Sequence, residues 1–315
     1  MRESLLAILG PSGSGDTTLE EMRGGVTLTA RSIWRRRDWP EAKRVLLAAP
    51  ALVVLCVVLF VPLVNLLSLG VASGSFTPYQ HALSDALYIK VIGATFSIAF
   101  ATTAICLTLG YPVAYLLSTS GRMLRAIGFV CVLLPFWTSL LVRTYAWIAL
   151  LGRNGVINRP LLEWGVISEP LPLLYNIGGV LVGTVHVLLP YMIFPIYAAM
   201  VRIDPDVLLA AEGLGAGSAS IFWRVYLPLT LPGLFAGCAL VFILSLSAFV
   251  TPALLGGGRV IMIANIIQTE VSQFLNWPFA SALSAIVLVV AILVYIMLGQ
   301  FTRTPDRSHV QLRQG

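Results

Sequence analysis

A chain of 315 residues could build two soluble domains, but 58% hydrophobic against 11% charged residues excludes an ordinary water-facing surface. With a mean hydropathy of +0.89 the chain reads as an integral membrane protein. The net charge of +6 does not point to nucleic acid, because fifteen of the 20 Lys and Arg residues fall on one side of the topology that the apolar runs dictate.

Residues 1–44 carry many of the charges and read as a cytoplasmic leader. Leu5 to Leu9 is too short an apolar region for a secretory signal peptide, and no cleavage signal follows. Gly10 to Thr18 (GPSGSGDTT) resembles the P-loop of an ABC-type ATPase at every position but one. Asp16 stands where the lysine that reaches the phosphates belongs, so a carboxylate would face the polyphosphate and ATP hydrolysis by this chain is not expected. Arg35, Arg36, Arg37, Lys43 and Arg44 cluster next to the first apolar run, either as an orientation signal or as a site for anionic headgroups at about 1 kcal/mol each.

Six charge-poor stretches follow, each able to supply the roughly 20 apolar residues of a membrane-spanning helix. The expected helices lie near residues 45–71, 91–118, 127–151, 177–201, 231–252 and 282–301, within a membrane domain of 45–301, and a cytoplasmic tail occupies 302–315. Continuous apolarity without alternation favours helices over a barrel, so the fold class is an all-α membrane protein with six transmembrane helices. Most Lys and Arg then lie on the side of the N-terminus, which places both termini in the cytoplasm. Cys56, Cys106, Cys131 and Cys238 all fall inside apolar runs without metal or disulfide spacing.

Arg143 is the one charge expected well inside a helix. Counting from Ile127 puts it in the outer part of the membrane, as a residue of the solute path or as a snorkelling anchor. Trp147, four residues on, shares its face and offers a cation–π contact. His186, in the fourth helix, has no nearby acid in its run and is expected to make an interhelical hydrogen bond rather than relay protons. Pro190 and Pro195 are expected to bend that helix. Outer acids and outer bases balance, so charge alone does not name the solute. No Ser/His/Asp, paired-carboxylate or metal constellation suggests an enzyme.

Residues 202–230 are the most informative segment. Asp204 can cap a helix, Pro205 fits its first position, and Asp206 complements the dipole. Gly213, Gly215 and Gly217 permit a reversal, and Ser218 or Ser220 can start a second short helix ending before Leu227-Pro228. Such a helix-turn-helix suits docking on another protein or lying on the lipid surface.

Here the sequence resembles a known family. Leu209-Ala210-Ala211, Gly215, Val225 and Leu227-Pro228 have the spacing of the EAA loop of binding-protein-dependent ABC importer permeases, with Leu209 in place of the glutamate and Val225 in place of the isoleucine. Leu134 to Trp147 (LPFWTSLLVRTYAW), Gly152 to Asn158 (GRNGVIN) and Asn276-Trp277-Pro278 resemble spermidine/putrescine-type permeases. The resemblance implies a type I ABC importer permease bundle in the bacterial inner membrane. It implies that Ala210, Ala211, Gly215, Val225, Leu227 and Pro228 couple to a separate ATP-binding subunit, present as a dimer, which uses ATP and Mg while this chain binds no cofactor. A second permease subunit and a periplasmic or extracellular solute-binding protein are the other implied partners. For a polyamine solute, Trp137, Tyr145 and Glu270 are candidate path residues together with Arg143, whose charge would oppose such a solute. Opines and phosphonates travel on related frames. A self-sufficient secondary carrier or channel is the competing class, and it would be expected to hold more intramembrane charges than Arg143 alone.

Overall fold

The computed structural model of this chain describes residues 41–70 and 76–302. The P-loop-like leader segment and the tail beyond residue 302 lie outside the described residues. Within the described residues all regular structure is helical, and five helices are long and apolar enough to cross a membrane. A sixth span results when one bent pair is taken together.

The first helix, α1 (Glu41–Leu69), continues through Pro50 and Pro62. Chain contacts divide between Leu63 and Val64 into two compact units. In the first, the side chains from Leu52 to Val61 are exposed, as befits a helix whose solvent is lipid.

The second unit begins with the last turn of α1, where the Ser281 hydroxyl donates to the Leu66 carbonyl. Helix α2 (Thr77–Ser84) leads to α3 (Ala86–Thr119), capped by the Asp85 carboxylate, which accepts from Leu87 N at 2.8 Å. The 34 residues of α3 span roughly 51 Å at the α-helical rise, more than the apolar thickness of a bilayer. This helix therefore contributes to sites at both ends of the bundle. After it come α4 (Arg122–Leu133), a 3₁₀ turn (Leu134–Trp137), α5 (Leu140–Leu151), α6 (Asn158–Glu163) and α7 (Ile177–Met200). Then follow α8 (Pro205–Gly213), α9 (Ser218–Ile221), a π-turn (Phe222–Tyr226), α10 (Leu227–Leu246), α11 (Val250–Gly256), α12 (Ile263–Ser272) and α13 (Trp277–Thr302).

Helices α3, α7 and α10 form the centre of the bundle. Lipid supplies no hydrophobic drive between helices, so close backbone approach has to do the work. Gly233 and Gly237, four residues apart on α10, provide it. A Cβ at Gly233 would lie 2.5 Å from the Pro195 carbonyl oxygen and from Ala199 Cβ, and one at Gly237 would lie 2.9 Å from Met192 Sδ. Met192, Ile193 and Ile196 are fully buried at this seam. Thr95, Thr103, Thr108 and Thr184 return their hydroxyls to carbonyls four residues back, which satisfies them inside apolar helices.

Three expectations are corrected. The third span is not one helix over 127–151: its halves, Arg122–Trp137 and Leu140–Leu151, meet at 100°. Thr138 and Ser139 are extended there (ψ 143° and 141°), and the preceding Pro135 has already tightened the chain into a 3₁₀ turn. The depth assigned to Arg143 by counting along a straight helix therefore does not hold. The second loop helix does not end before Leu227-Pro228, because Ser218 to Leu246 forms one span. Pro228 lacks an N–H and crowds the carbonyl of Arg224, and the chain accommodates it by a π-turn in which Leu227 N–H bonds to the Phe222 carbonyl. The fifth span, expected to reach residue 252, stops at Leu246, and α11 is a separate short helix. Helix α7, by contrast, stays a single helix across Pro190 and Pro195.

Candidate functional site

Two sites lie at opposite ends of α3. At its C-terminal end is the loop of α8 and α9. Asp204 caps α8 by accepting from Asp206 N at 3.0 Å, Pro205 occupies the first turn, and Asp206 faces the positive dipole end, as the sequence implies. The C-terminus of α8 closes in a Schellman motif: Gly215 N–H bonds to the Glu212 carbonyl at 2.9 Å and Ala216 N–H to the Ala211 carbonyl at 3.2 Å. That motif requires a left-handed residue at Gly215, whose φ is +81°. Nothing lies within 4 Å of where its Cβ would be, so backbone conformation is what the glycine supplies in this chain.

Beside the exposed charges of Asp204, Asp206, Glu212 and Arg224, this loop presents several large apolar side chains. Leu214 is 90% exposed and Trp223 66%, with Leu209 and Val207 beside them on α8 also exposed. Ala210 and Pro228 are exposed, and Ala211, Val225 and Leu227 are half-buried. The motif spacing singles out Ala210, Ala211, Gly215, Val225, Leu227 and Pro228 but not the exposed Leu214 and Trp223. Their signal was present in the sequence as large apolar side chains in a short segment flanked by charges.

At the N-terminal end of α3, Glu270 on α12 lines a cavity of about 440 Å³ shared with Tyr88, Asn265, Gln268, Thr269 and Phe274. One carboxylate, two aromatic rings and two amides converge there. A neighbouring cavity of about 630 Å³ shares the wall of Leu87, Val91, Val260 and Ile261 but holds the bases Lys90 and Arg259. An edge-to-face set of His81, Tyr88 and Phe279, with ring centroids 5.0–5.4 Å apart, fixes the Tyr88 ring. Helix α12 is anchored by Thr95, whose hydroxyl oxygen accepts from Ile263 N at 2.9 Å.

The other expected path residues are not gathered at Glu270. None of Trp137, Arg143 and Tyr145 lines its cavity. Trp137 is 90% exposed at the break between α4 and α5, and Tyr145 is 58% exposed. Arg143 is half-buried; its Nε is enclosed and has no hydrogen-bond partner among the described residues. The expected cation–π contact with Trp147 does not form. Trp147 Nε1 instead donates to His186 Nδ1 at 3.2 Å, the rings meeting edge-on at 5.6 Å. This gives His186 the interhelical hydrogen bond expected of it and ties α5 to α7 beyond the break.

Asn158 is the residue whose weight sequence reading missed. Quoted only as the end of a motif, it is fully buried, donates from Nδ2 to the carbonyls of Gly152 and Leu171 at 3.0 Å, and accepts from Leu171 N at 2.9 Å. It thereby closes the connection between α5 and α7.

A bundle of apolar helices with a capped loop between two central spans fits a membrane transport subunit. Residues 44–304 match the family of binding-protein-dependent transport system inner membrane components, and the chain belongs to that family. It is 39% identical to the spermidine/putrescine transport system permease protein PotB of Haemophilus influenzae over 215 residues, 68% of this chain and 75% of that one. It is 34% identical to PotB of Escherichia coli (strain K12) over 262 residues, 80% of this chain and 95% of that one. In three dimensions a chain of the bacterial alginate ABC transporter superposes with a TM-score of 0.68, covering 85% of this chain and 98% of that one at 17% identity. The fold is thus that of a type I ABC importer permease, and the protein is a multi-pass membrane component of an importer.

Proposed function

We propose that the solute is a polyamine of the spermidine/putrescine type. The observation that carries this is the 39% identity to a spermidine/putrescine permease over two thirds of the chain. The Glu270 cavity is chemically consistent with it: a carboxylate with aromatic faces and amide oxygens suits an alkylammonium. Arg143, which would repel such a solute, lies off that cavity.

In this reading both termini are cytoplasmic, the loop of α8 and α9 faces the cytoplasm, and the Glu270 cavity opens to the outside. Ala210, Ala211, Gly215, Val225, Leu227 and Pro228 position an apolar surface, with Leu214 and Trp223 at its crest, that docks on a separate ATP-binding subunit. That subunit, as a dimer, binds ATP and Mg and supplies the energy. A second permease subunit completes the path, and a solute-binding protein delivers the solute to the outer face. The leader before Val26 is dispensable for transport when the Arg-rich stretch that follows it is retained.

The test is an uptake panel in proteoliposomes containing the assembled transporter and its binding protein. Spermidine and putrescine are expected to be taken up and to compete with each other. Uptake of an opine or a phosphonate with no response to polyamines would overturn the solute assignment.

A further inference from the structure

The loop proposed to face the ATP-binding subunit also borders a cavity of about 400 Å³, lined by residues of four elements, α9 contributing Ser218 and Ile221. Tyr115 and Thr119 come from the last turns of α3, Leu208 and Glu212 from α8, and Phe222 and Tyr226 from the π-turn. The rings form a corner. Phe222 and Tyr226 lie nearly parallel at 6.1 Å, and Tyr115 stands perpendicular to both at 6.4 and 5.5 Å. The Tyr226 hydroxyl is engaged by Ser118 at 3.3 Å, which fixes that ring. The Thr119 hydroxyl donates to the Tyr115 carbonyl and keeps its oxygen free to accept. Among the described residues Glu212 is exposed, forms no ion pair and is the only charged residue lining the cavity.

The geometry points to a second ligand site here, for a small organic ammonium. Aromatic faces and a single carboxylate attract a cation that keeps an apolar body, and the aromatic cage is a recurrent solution for such groups. No lysine or arginine among the described residues lines the wall, which disfavours an anion. The site does not depend on the identity of the solute carried; its cytoplasmic placement rests on the orientation proposed above. Occupancy has a mechanical consequence. A cation bound to Glu212, Tyr115 and the π-turn ties α8 to the end of α3 and restrains the loop through which the ATP-binding subunit acts. Intracellular amines then slow the transporter from the inside, and for a polyamine importer the accumulated product is itself the ligand.

The test uses the assembled transporter in nanodiscs of phosphatidylglycerol, which contains no amine headgroup, and without the solute-binding protein. Radiolabelled putrescine and, separately, tetramethylammonium are titrated by equilibrium dialysis, and ATP hydrolysis is followed in parallel. With the outer cavity disabled by Glu270→Gln, one saturable site is expected, together with a fall in hydrolysis as it fills. Glu212→Gln and Tyr115→Leu weaken binding about tenfold or more, whereas Tyr115→Phe, which keeps the ring face, retains it. Glu270→Gln by itself removes only the binding contributed by the outer cavity and leaves the Glu212 site saturable. Absence of saturable binding by either cation, or binding lost in Glu270→Gln and kept in Glu212→Gln, overturns the site. Failure of polyamine uptake in the panel above with the tetramethylammonium site intact overturns only the solute assignment. Each variant is first shown to insert in the membrane and to remain monodisperse.

Discussion

Substitution of Gly215 separates two roles that a loop glycine can have. The φ of +81° lies where a Cβ meets the following carbonyl, at roughly 1–2 kcal/mol for an ordinary L-residue. No neighbouring atom lies within 4 Å of the Cβ position, so overlap within the chain adds nothing. Gly215→Ala recovers about 0.4–1 kcal/mol from the unfolded chain, which leaves a net cost near 1 kcal/mol and about a fivefold fall in the closed-to-open ratio of the Schellman turn. Asn visits the left-handed region more readily than Ala, and β-branched Val tolerates it least. Retained coupling should therefore fall in the order Gly, Asn, Ala, Val, although Asn is bulkier than Ala. The assay is solute-stimulated ATP hydrolysis by the assembled transporter, normalised to permease present in the membrane. An order that follows side-chain volume, with Ala above Asn, would refute the backbone argument and assign the glycine to close approach of the partner. A Gly215→Glu variant that transports like the parent would refute the loop's role in coupling altogether.

Other outcomes follow from the same packing. Asn158→Leu removes three buried hydrogen bonds and should destabilise the 152–171 connection by about 2–4 kcal/mol; limited proteolysis of that connection reads this, and unchanged cleavage would count against the pin. Gly233→Leu places atoms inside the Pro195 carbonyl and Ala199 and should cost at least about 1–3 kcal/mol, whereas Gly93→Ala, with open space around its Cβ, should leave the melting temperature unchanged. Equal effects of the two would contradict the close seam of α7 and α10. Glu270→Gln should lower polyamine uptake roughly tenfold through loss of a charge-assisted contact, with binding-protein affinity unchanged; full uptake would remove the cavity from the solute path.

Much of this architecture was legible because membrane physics writes large signals. Runs of about 20 apolar residues have few other uses, and Asp204-Pro205 and Gly215 announce the two ends of α8 through capping and left-handed backbone. The break at Thr138 and Ser139 was hidden for a physical reason. A lipid-embedded helix is apolar all round, so a change of helix direction leaves no trace in periodicity, and Pro135 reads equally as a kink or as a stop. Pro228 misled in the opposite sense: in water it would mark a terminus, but the π-turn lets the helix run on. Glu270 stands out by its charge and Phe274 is only four residues on, while Tyr88 is brought to them by the packing of α3 against α12, a long-range contact that no local pattern encodes. The same holds for the Trp147–His186 bond, whose partners sit 39 residues apart.

The central claim is that this chain conducts a solute only when a separate ATP-binding subunit drives it through the loop of α8 and α9. The most direct measurement is uptake of labelled spermidine, with the solute-binding protein outside, into proteoliposomes prepared with the permease pair alone, or with the ATP-binding subunit added, each with and without internal ATP. The account predicts accumulation only in the presence of both the ATP-binding subunit and ATP, and its loss when the Leu214 and Trp223 crest is changed to aspartate. Accumulation by this chain alone under an imposed proton or sodium gradient, indifferent to ATP, would contradict it.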